Sequence, residues 1–128
     1  MQLLLDTHAL LWWINDAESL SAKARKAISN ADNDCFFSLA SCWEISIKCS
    51  IGKLTLAQPL DQFIPDQLFR NGIRLLPIDF RHIAKVATLP FLHRDPFDRL
   101  LVAQASSEKM TLVTADATIA RYDVKCLW

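Results

Sequence analysis

Short apolar runs alternate along the chain with segments of helical periodicity, and this alternation restricts the fold more than any other feature. Runs at residues 1–5, 35–38, 73–78 and 111–114, with a shorter one at 124–128, have the length and polar flanks of buried strands. Strands that alternate with helices favour parallel pairing, because each crossover helix returns the chain to the same end of the sheet. We therefore predict an α/β fold with a parallel sheet covered by helices on both faces.

Helical segments are predicted between these strands, at residues 8–14, 21–31, 39–51, 59–71, 80–88, 96–109 and 117–122. Asp95 has the side chain of an N-cap, and Pro96 fits the first helical position. Gly52 and Gly72 are predicted to end two of the helices. Pro77, near the end of the third strand, favours an edge position for that strand.

Length and composition exclude several classes of protein. The 128 residues suit a single domain, residues 1–128, with its own hydrophobic core. Only two glycines occur, which excludes the glycine-rich loops that bind nucleotide phosphates or dinucleotides. The formal net charge is zero, so binding to nucleic acid would need a local basic patch.

Cysteine spacing and hydropathy indicate the compartment that we expect. The four cysteines form no C-x-x-C pair, which favours reduced thiols over a zinc site or disulfides. No apolar run approaches the length of a bilayer span, and no secretory signal pattern is present. We therefore expect a cytoplasmic protein without membrane contact.

Four acidic residues occupy corresponding places relative to the predicted strands. Asp6 and Asp116 directly follow the first and fourth strands. Glu44 lies within the first two turns of the helix after the second strand, and Asp98 lies in the first turn of the helix that leads to the fourth. In a parallel sheet these places all lie at the carboxyl edge, where ligand sites form. We therefore expect the four carboxylates to converge.

Converging carboxylates repel one another and favour a bound cation. An all-oxygen ligand set without histidine or cysteine favours Mg²⁺ or Mn²⁺ over zinc. No lysine is expected at this edge, although Lys48 is near in sequence. Each acid also has a structural alternative: Asp6 and Asp116 as N-caps, Asp98 against a helix dipole, and Glu44 as the ion-pair partner of Lys48.

The chain resembles PIN-domain proteins, and specifically the VapC-like toxins of bacterial type II toxin–antitoxin pairs. The resemblance rests on four stretches in order: Leu3-Leu-Leu-Asp-Thr-His-Ala9, Ser38-Leu-Ala-Ser-Cys-Trp-Glu-Ile45, His93-Arg-Asp-Pro-Phe-Asp-Arg-Leu-Leu-Val-Ala-Gln104 and Leu112-Val-Thr-Ala-Asp116. The last departs from the usual Thr-Asn-Asp only at Ala115.

The resemblance implies a fold, an activity and partners. The implied fold is an α/β/α sandwich with a central, mainly parallel sheet of four or five strands. The implied activity is Mg²⁺- or Mn²⁺-dependent endoribonuclease cleavage of RNA, with a homodimeric toxin held inactive by a cognate antitoxin. The family's acidic quartet falls on Asp6, Glu44, Asp98 and Asp116.

Further polar residues flank the acids. Asp95 is predicted to cap the helix that begins at Pro96. Arg94 and Arg99 are candidates for contact with the phosphate backbone, and an ion pair of Arg99 with Asp95 is the alternative. Four hydroxyl side chains are candidates to orient the carboxylates, with ordinary helix capping as the alternative: Thr7, Ser38, Ser41 and Thr114.

Rings near the acids are expected to have structural roles. We expect His8 and His93 to be packed or capping groups rather than bases. The spacing of Trp12, Trp13 and Trp43 favours a helix core or an apolar partner groove over stacking on nucleobases.

Four hypotheses remain open from the sequence. The first is a metal-dependent endoribonuclease that hydrolyses RNA phosphodiester bonds, as the toxin of a toxin–antitoxin pair. The second keeps the metal but acts as a DNA nuclease or phosphatase. The third is a non-catalytic α/β module that binds a partner. The fourth, a receiver-like phosphoacceptor, lacks a lysine at a late strand end.

Overall fold

The computed structural model describes residues 1–128, and five parallel strands form its central sheet. The strands lie in the order β3-β2-β1-β4-β5, and every neighbouring pair is parallel. Their bounds are β1 Gln2–Leu5, β2 Asp34–Ser38, β3 Arg74–Leu76, β4 Thr111–Val113 and β5 Cys126–Leu127. The prediction of a parallel sheet is confirmed, and β3, which Pro77 follows, is an edge strand as expected.

Six α-helices connect the strands. They are α1 Thr7–Ile14, α2 Ala22–Ser29, α3 Leu39–Ser50, α4 Leu60–Arg70, α5 Phe80–Val86 and α6 Pro96–Glu108. Shortly after α3 and α4, Gly52 and Gly72 adopt φ of 74° and 63°, which only glycine enters without strain from a Cβ atom. No helix combines the length and the apolar character needed to cross a bilayer.

The predicted helix at 117–122 is wrong in length and type. The structure has only a 3-10 turn there, Ile119–Arg121. Its last bond runs from the Tyr122 N–H to the Ile119 carbonyl, three residues back. The chain has only four residues between this turn and β5, so a full α-helix has no room to develop.

The two faces of the sheet bury separate hydrophobic clusters. Leu3 and Leu5 of β1 point to one face, among residues of α1 to α4. Leu4 points to the other, among residues of α6 and the 3-10 turn. Successive strand residues alternate in direction, so one short apolar strand contributes to both clusters. The prediction of helices on both faces is confirmed.

Helix α3 turns most of its large apolar side chains outward. Its buried residues are Ala40, Ser41, Glu44 and Ile45. The apolar stripe lies on another side, with exposed fractions of 39% at Leu39, 61% at Trp43, 38% at Ile47 and 59% at Ile51. The spacing of Leu39, Trp43 and Ile47 therefore predicted the helix, but a core position for Trp43 is wrong. Two small residues, an acid and Ile45 occupy the inner face, where α3 contacts α1 and α6.

The cysteines are all free, as expected for reduced thiols.

Candidate metal centre

A cavity of about 350 Å³ lies at the carboxyl edge of the sheet, and all four predicted acids line it. Its walls come from the ends of β1 and β4, the start of α6 and the inner face of α3. The lining residues are Asp6, Thr7, His8, Trp12, Glu44, Lys48, Asp95, Asp98, Ala115 and Asp116. The predicted convergence of acids from four separate stretches of chain is confirmed.

Asp6 and Thr7 lie where β1 passes directly into α1. The Asp6 carboxylate caps α1, since its Oδ1 accepts the N–H of Ala9 at 2.7 Å. The Thr7 hydroxyl donates to Oε1 of Glu44 at 2.6 Å. Its role as the cap of α1 therefore places Asp6 at the cavity. The predicted contact of the Thr7 hydroxyl with one of the acids is present.

Glu44 is engaged at both carboxylate oxygens. Thr7 occupies Oε1, and Nζ of Lys48, one helical turn later on α3, lies 3.1 Å from Oε2. Glu44 thus forms the ion pair with Lys48 that was considered as its alternative role, and it also lines the cavity. The expectation that no lysine lies at this edge is wrong, because residues four apart on α3 share a face.

The start of α6 carries Asp95 and Asp98. Oδ1 of Asp95 accepts the N–H groups of Phe97 and Asp98 at 2.8 and 3.3 Å, so the predicted cap before Pro96 is present. Asp98, in the first turn, directs its carboxylate into the cavity, 21% exposed.

Asp116 follows β4 and caps the 3-10 turn. Its Oδ1 accepts the N–H groups of Thr118 and Ile119 at 2.8 and 3.4 Å. The Thr114 hydroxyl oxygen accepts the Asp116 N–H at 3.1 Å. The Thr114 side chain also lowers the pKa of Asp6, so Thr114 acts on the acids at the ends of both β1 and β4.

His93 contacts two of the acids at once. Its Nε2 lies 3.2 Å from Oδ2 of Asp98 and 3.1 Å from Oδ2 of Asp116. The packing or capping role predicted for His93 does not include this contact. Only a weak sequence signal could have predicted this contact, because His93 lies five residues before Asp98 in the loop before α6. In the structure the Asp95 N–H donates to Nδ1 of His93, which holds the ring near the start of α6.

Burial dominates the electrostatics of the buried acids. Burial raises the pKa of Asp6, although hydrogen bonds from Thr114 and Ala9 oppose the rise. Burial, together with the negative charge of Asp95, raises the pKa of Asp98 to about 7. Both carboxyls therefore ionise less readily than an exposed aspartate does.

Asp116 behaves differently because hydrogen bonds outweigh its burial. Burial alone pushes its pKa upward, but the hydrogen bond with His93 and the N–H groups of Thr118 and Ile119 lower it below the usual value. Asp116 therefore stays ionised most readily among these three acids.

The donor set fits a hard divalent cation. The cavity supplies carboxylate oxygens, the ligands that Mg²⁺ and Mn²⁺ prefer, and no cysteine. His93 contacts only the Oδ2 atoms, which leaves Oδ1 of Asp98 for an ion. A cation there would also favour the ionised form of Asp98, which burial disfavours.

Three predicted positioning residues do not contact an acid. The Ser38 hydroxyl donates to Gln104 and accepts the N–H of Ala40, so Ser38 caps α3. Ser41 is fully buried, and its hydroxyl has no hydrogen-bond partner. Arg99 donates to the carbonyls of Val86 and Pro90 and to the Tyr122 hydroxyl.

Of the two roles considered for Arg99, the ion pair with Asp95 is wrong, and contact with the phosphate backbone stays a prediction. Neighbouring residues of an α-helix point about 100° apart. Since Asp98 faces the cavity, Arg99 faces the loop before α6, where it lies 5.0 Å from the Phe91 ring centroid. It makes no ion pair with Asp95.

Aromatic rings line the mouth of the cavity. The His8 ring stacks on Trp12 with 5.3 Å between centroids, and Trp12 contacts Trp128 at 5.7 Å. Trp43 lies elsewhere, on the outer side of α3, with its ring edge-on to Phe97 at 5.2 Å. The tryptophans thus serve packing and surface roles around the site.

Comparison with known proteins gives a family and a fold. The profile of the PIN domain matches residues 3–125. Ribonuclease VapC22 of Mycobacterium tuberculosis (strain ATCC 25618 / H37Rv) is 31% identical over 114 residues, which cover 88% of this chain and 85% of that protein. Ribonuclease VapC16 of the same strain is 34% identical over 62 residues, covering 48% of this chain and 44% of VapC16. The match thus spans less than half the length of VapC16.

A solved structure shares the architecture at low identity. VapBC2 from Rickettsia felis, bound to a DNA fragment from its promoter, contains a chain that aligns with a TM-score of 0.71 and 17% identity. The alignment covers 98% of this chain and 97% of that chain. At this identity the likeness shows the fold alone.

Proposed function

Since the chain belongs to the PIN domain family, we propose that it is a metal-dependent endoribonuclease and the toxin of a toxin–antitoxin pair. One observation carries this proposal: acids from four separate stretches of chain line a single cavity. The similarity to ribonuclease VapC22 supports RNA as the substrate class. In this proposal the catalytic acids are Asp6, Glu44, Asp98 and Asp116.

The acids would hold a divalent cation, Mg²⁺ or Mn²⁺. Asp6 and Asp98 are the proposed direct ligands, and Glu44 and Asp116 complete the site. When bound, the ion supplies positive charge that polarises a phosphoryl oxygen and acidifies a water molecule.

The chain's own side chains orient the Glu44 carboxylate and accept the proton of the attacking water. Thr7 and Lys48 hold Glu44, so that its carboxylate keeps one orientation while the substrate binds. An ionised carboxylate of the quartet accepts the proton of the attacking water. In-line attack on the phosphodiester then leaves a 5′-phosphate and a 3′-hydroxyl.

Basic residues beside the cavity are the proposed contacts for RNA. Lys48 lines the cavity, and Lys53 and Arg94 line an adjoining groove. With zero net charge, the chain relies on such a local patch, and RNA affinity would fall as salt rises.

Protein partners are proposed for the outer side of α3. The apolar stripe Leu39, Trp43, Ile47 and Ile51 is exposed, as in surfaces that bind another protein. We propose that the toxin is a homodimer, that a cognate antitoxin inhibits it, and that the 128 residues form one domain in the cytoplasm.

RNA cleavage with Mg²⁺ or Mn²⁺ tests the function. Asp6→Asn and Asp98→Asn keep shape and remove charge, and each should abolish most of the cleavage. Asp32→Asn, at an exposed position outside the cavity, is the matched control and should cleave like wild type. Single-stranded DNA and a phosphomonoester serve as competing substrates. Cleavage retained in both cavity variants would refute the proposal.

A further inference from the structure

We propose that His93 is a positioning residue whose Nε2–H hydrogen-bonds the Asp116 carboxylate and contacts that of Asp98, and that His93 does not itself ligate the metal. The proposal rests on the proposed function, since it assumes a cation at these acids. It adds a residue to the site that the family resemblance did not supply.

The hydrogen bond at the other ring nitrogen determines the tautomer of His93. Nδ1 lies 3.1 Å from the backbone nitrogen of Asp95, whose N–H points at it. A backbone N–H can only donate, so Nδ1 must offer its lone pair. The proton of the neutral ring is therefore on Nε2, which faces Asp98 and Asp116 as a donor.

This tautomer opposes metal ligation. Nε2 of His93 and one oxygen each of Asp98 and Asp116 lie within 4.8 Å of one another, close enough in distance to share an ion. A ligating Nε2 would need to lose its proton to Nδ1. Two N–H groups, those of His93 and Asp95, would then face each other, and a hydrogen bond in a half-buried place would be lost.

The contact of His93 instead holds the start of α6 beside the end of β4. His93 lies in the loop before α6, Asp98 lies on α6, and Asp116 follows β4. One ring nitrogen, hydrogen-bonded to Asp116 and 3.2 Å from Oδ2 of Asp98, brings the two Oδ2 atoms together, and Oδ1 of Asp116 accepts the N–H groups of Thr118 and Ile119. Oδ1 of Asp98 is left to face the cavity. Hydrogen bonds of this kind to metal ligands are worth about 10–100-fold in metal affinity.

Two variants separate positioning from ligation and from packing. His93→Gln keeps an amide donor near the Nε2 position, whereas His93→Leu keeps apolar volume without a donor. Calorimetric titration with Mn²⁺ should show affinity reduced about 10–100-fold in His93→Leu and largely restored in His93→Gln. Equal losses in two folded variants, or no loss in His93→Leu, would overturn the proposal.

Spectroscopy on the wild-type protein tests the role without any substitution. Long-range ¹H–¹⁵N NMR of the metal-free protein should show the His93 proton on Nε2. Pulsed EPR of bound Mn²⁺ should show no directly coordinated nitrogen. A proton on Nδ1, or a nitrogen coupling lost in His93→Gln but not in His8→Gln, would overturn the proposal.

The same measurements distinguish this proposal from the proposed function. If wild type binds no Mn²⁺ and cleaves no RNA, the metal-dependent nuclease fails, and the role of His93 fails with it. If wild type binds Mn²⁺ and the nitrogen coupling of His93 appears, only the positioning role is wrong.

Discussion

The Thr7 hydroxyl donates a 2.6 Å hydrogen bond to Oε1 of Glu44, which joins residues 37 positions apart in the chain. Thr7 begins α1 directly after Asp6, and Glu44 lies on the inner face of α3. The bond therefore fastens Glu44 to the start of α1, directly beside Asp6.

Removing this hydroxyl should destabilise the protein. Thr7→Val keeps the side-chain shape but leaves Oε1 of the buried Glu44 without its donor. We expect the free energy of unfolding to fall by about 1–3 kcal/mol, measured by urea denaturation. Thr7→Ser, which keeps the hydroxyl, should lose much less. Equal stability of wild type and Thr7→Val would show that the bond contributes nothing.

Stability of the metal-free protein should depend on the titration of Asp98. Burial, with the charge of Asp95, raises its pKa from 3.8 to about 7 on folding. The folded state then binds the proton more tightly than the unfolded chain does. This contribution to stability is complete below the unfolded pKa and is lost as pH rises through the folded one.

The comparison with Asp98→Asn isolates that contribution. With a chelator present, the stability of wild type relative to Asp98→Asn should fall as the pH rises from about 4 to about 7. Asp32→Asn, at an exposed position, should show no such trend. A difference that stays constant or grows with pH would contradict the raised pKa.

Divalent cations should stabilise the folded protein. An ion that binds only the folded state at a concentration of 100 Kd adds about 2.7 kcal/mol. Thermal unfolding with Mn²⁺ or Mg²⁺ should therefore give a higher Tm, and the gain should shrink in Asp6→Asn. An unchanged Tm at millimolar metal would support a non-catalytic module instead.

Lys48 should affect metal and RNA in opposite directions. Its ammonium lies beside Glu44, so it repels an incoming cation and attracts a phosphate. Since Lys48 is partly exposed, Lys48→Met should tighten Mn²⁺ binding only about two- to fivefold, and should weaken RNA binding. Lys23→Met, exposed on α2, is the control. Weaker binding of both ligands would argue for a purely structural role.

The exposed stripe of α3 should mediate association. Trp43→Asp places a charge at a side chain that is 61% exposed and removes its edge-on contact with Phe97, so the free energy of unfolding should fall by about 1 kcal/mol. Sedimentation should show a dimer of wild type weakened in Trp43→Asp. Phe69→Asp, at an 88% exposed position on α4, should leave it intact. Equal dimerisation of all three proteins would place the interface elsewhere.

Much of the fold and part of the site follow from local sequence. Asp6 and Asp95 are recognisable as caps, because a cap bonds N–H groups only two or three residues away. Gly52 and Gly72 mark helix ends for an equally local reason. A parallel sheet then brings Asp6 and Asp116 to one edge, whatever the details of side-chain packing.

The side-chain pairings were beyond the sequence because they depend on the rotation of each helix about its axis. Sequence alone determined the strands, the helix starts and the acids gathered at one edge, since these rest on periodicity and on hydrogen bonds between near neighbours. Only the tertiary structure decided that His93 contacts Asp116, that Arg99 turns away and that the stripe of α3 faces outward. Those outcomes depend on how helices far apart in the chain pack against one sheet, which no local pattern specifies.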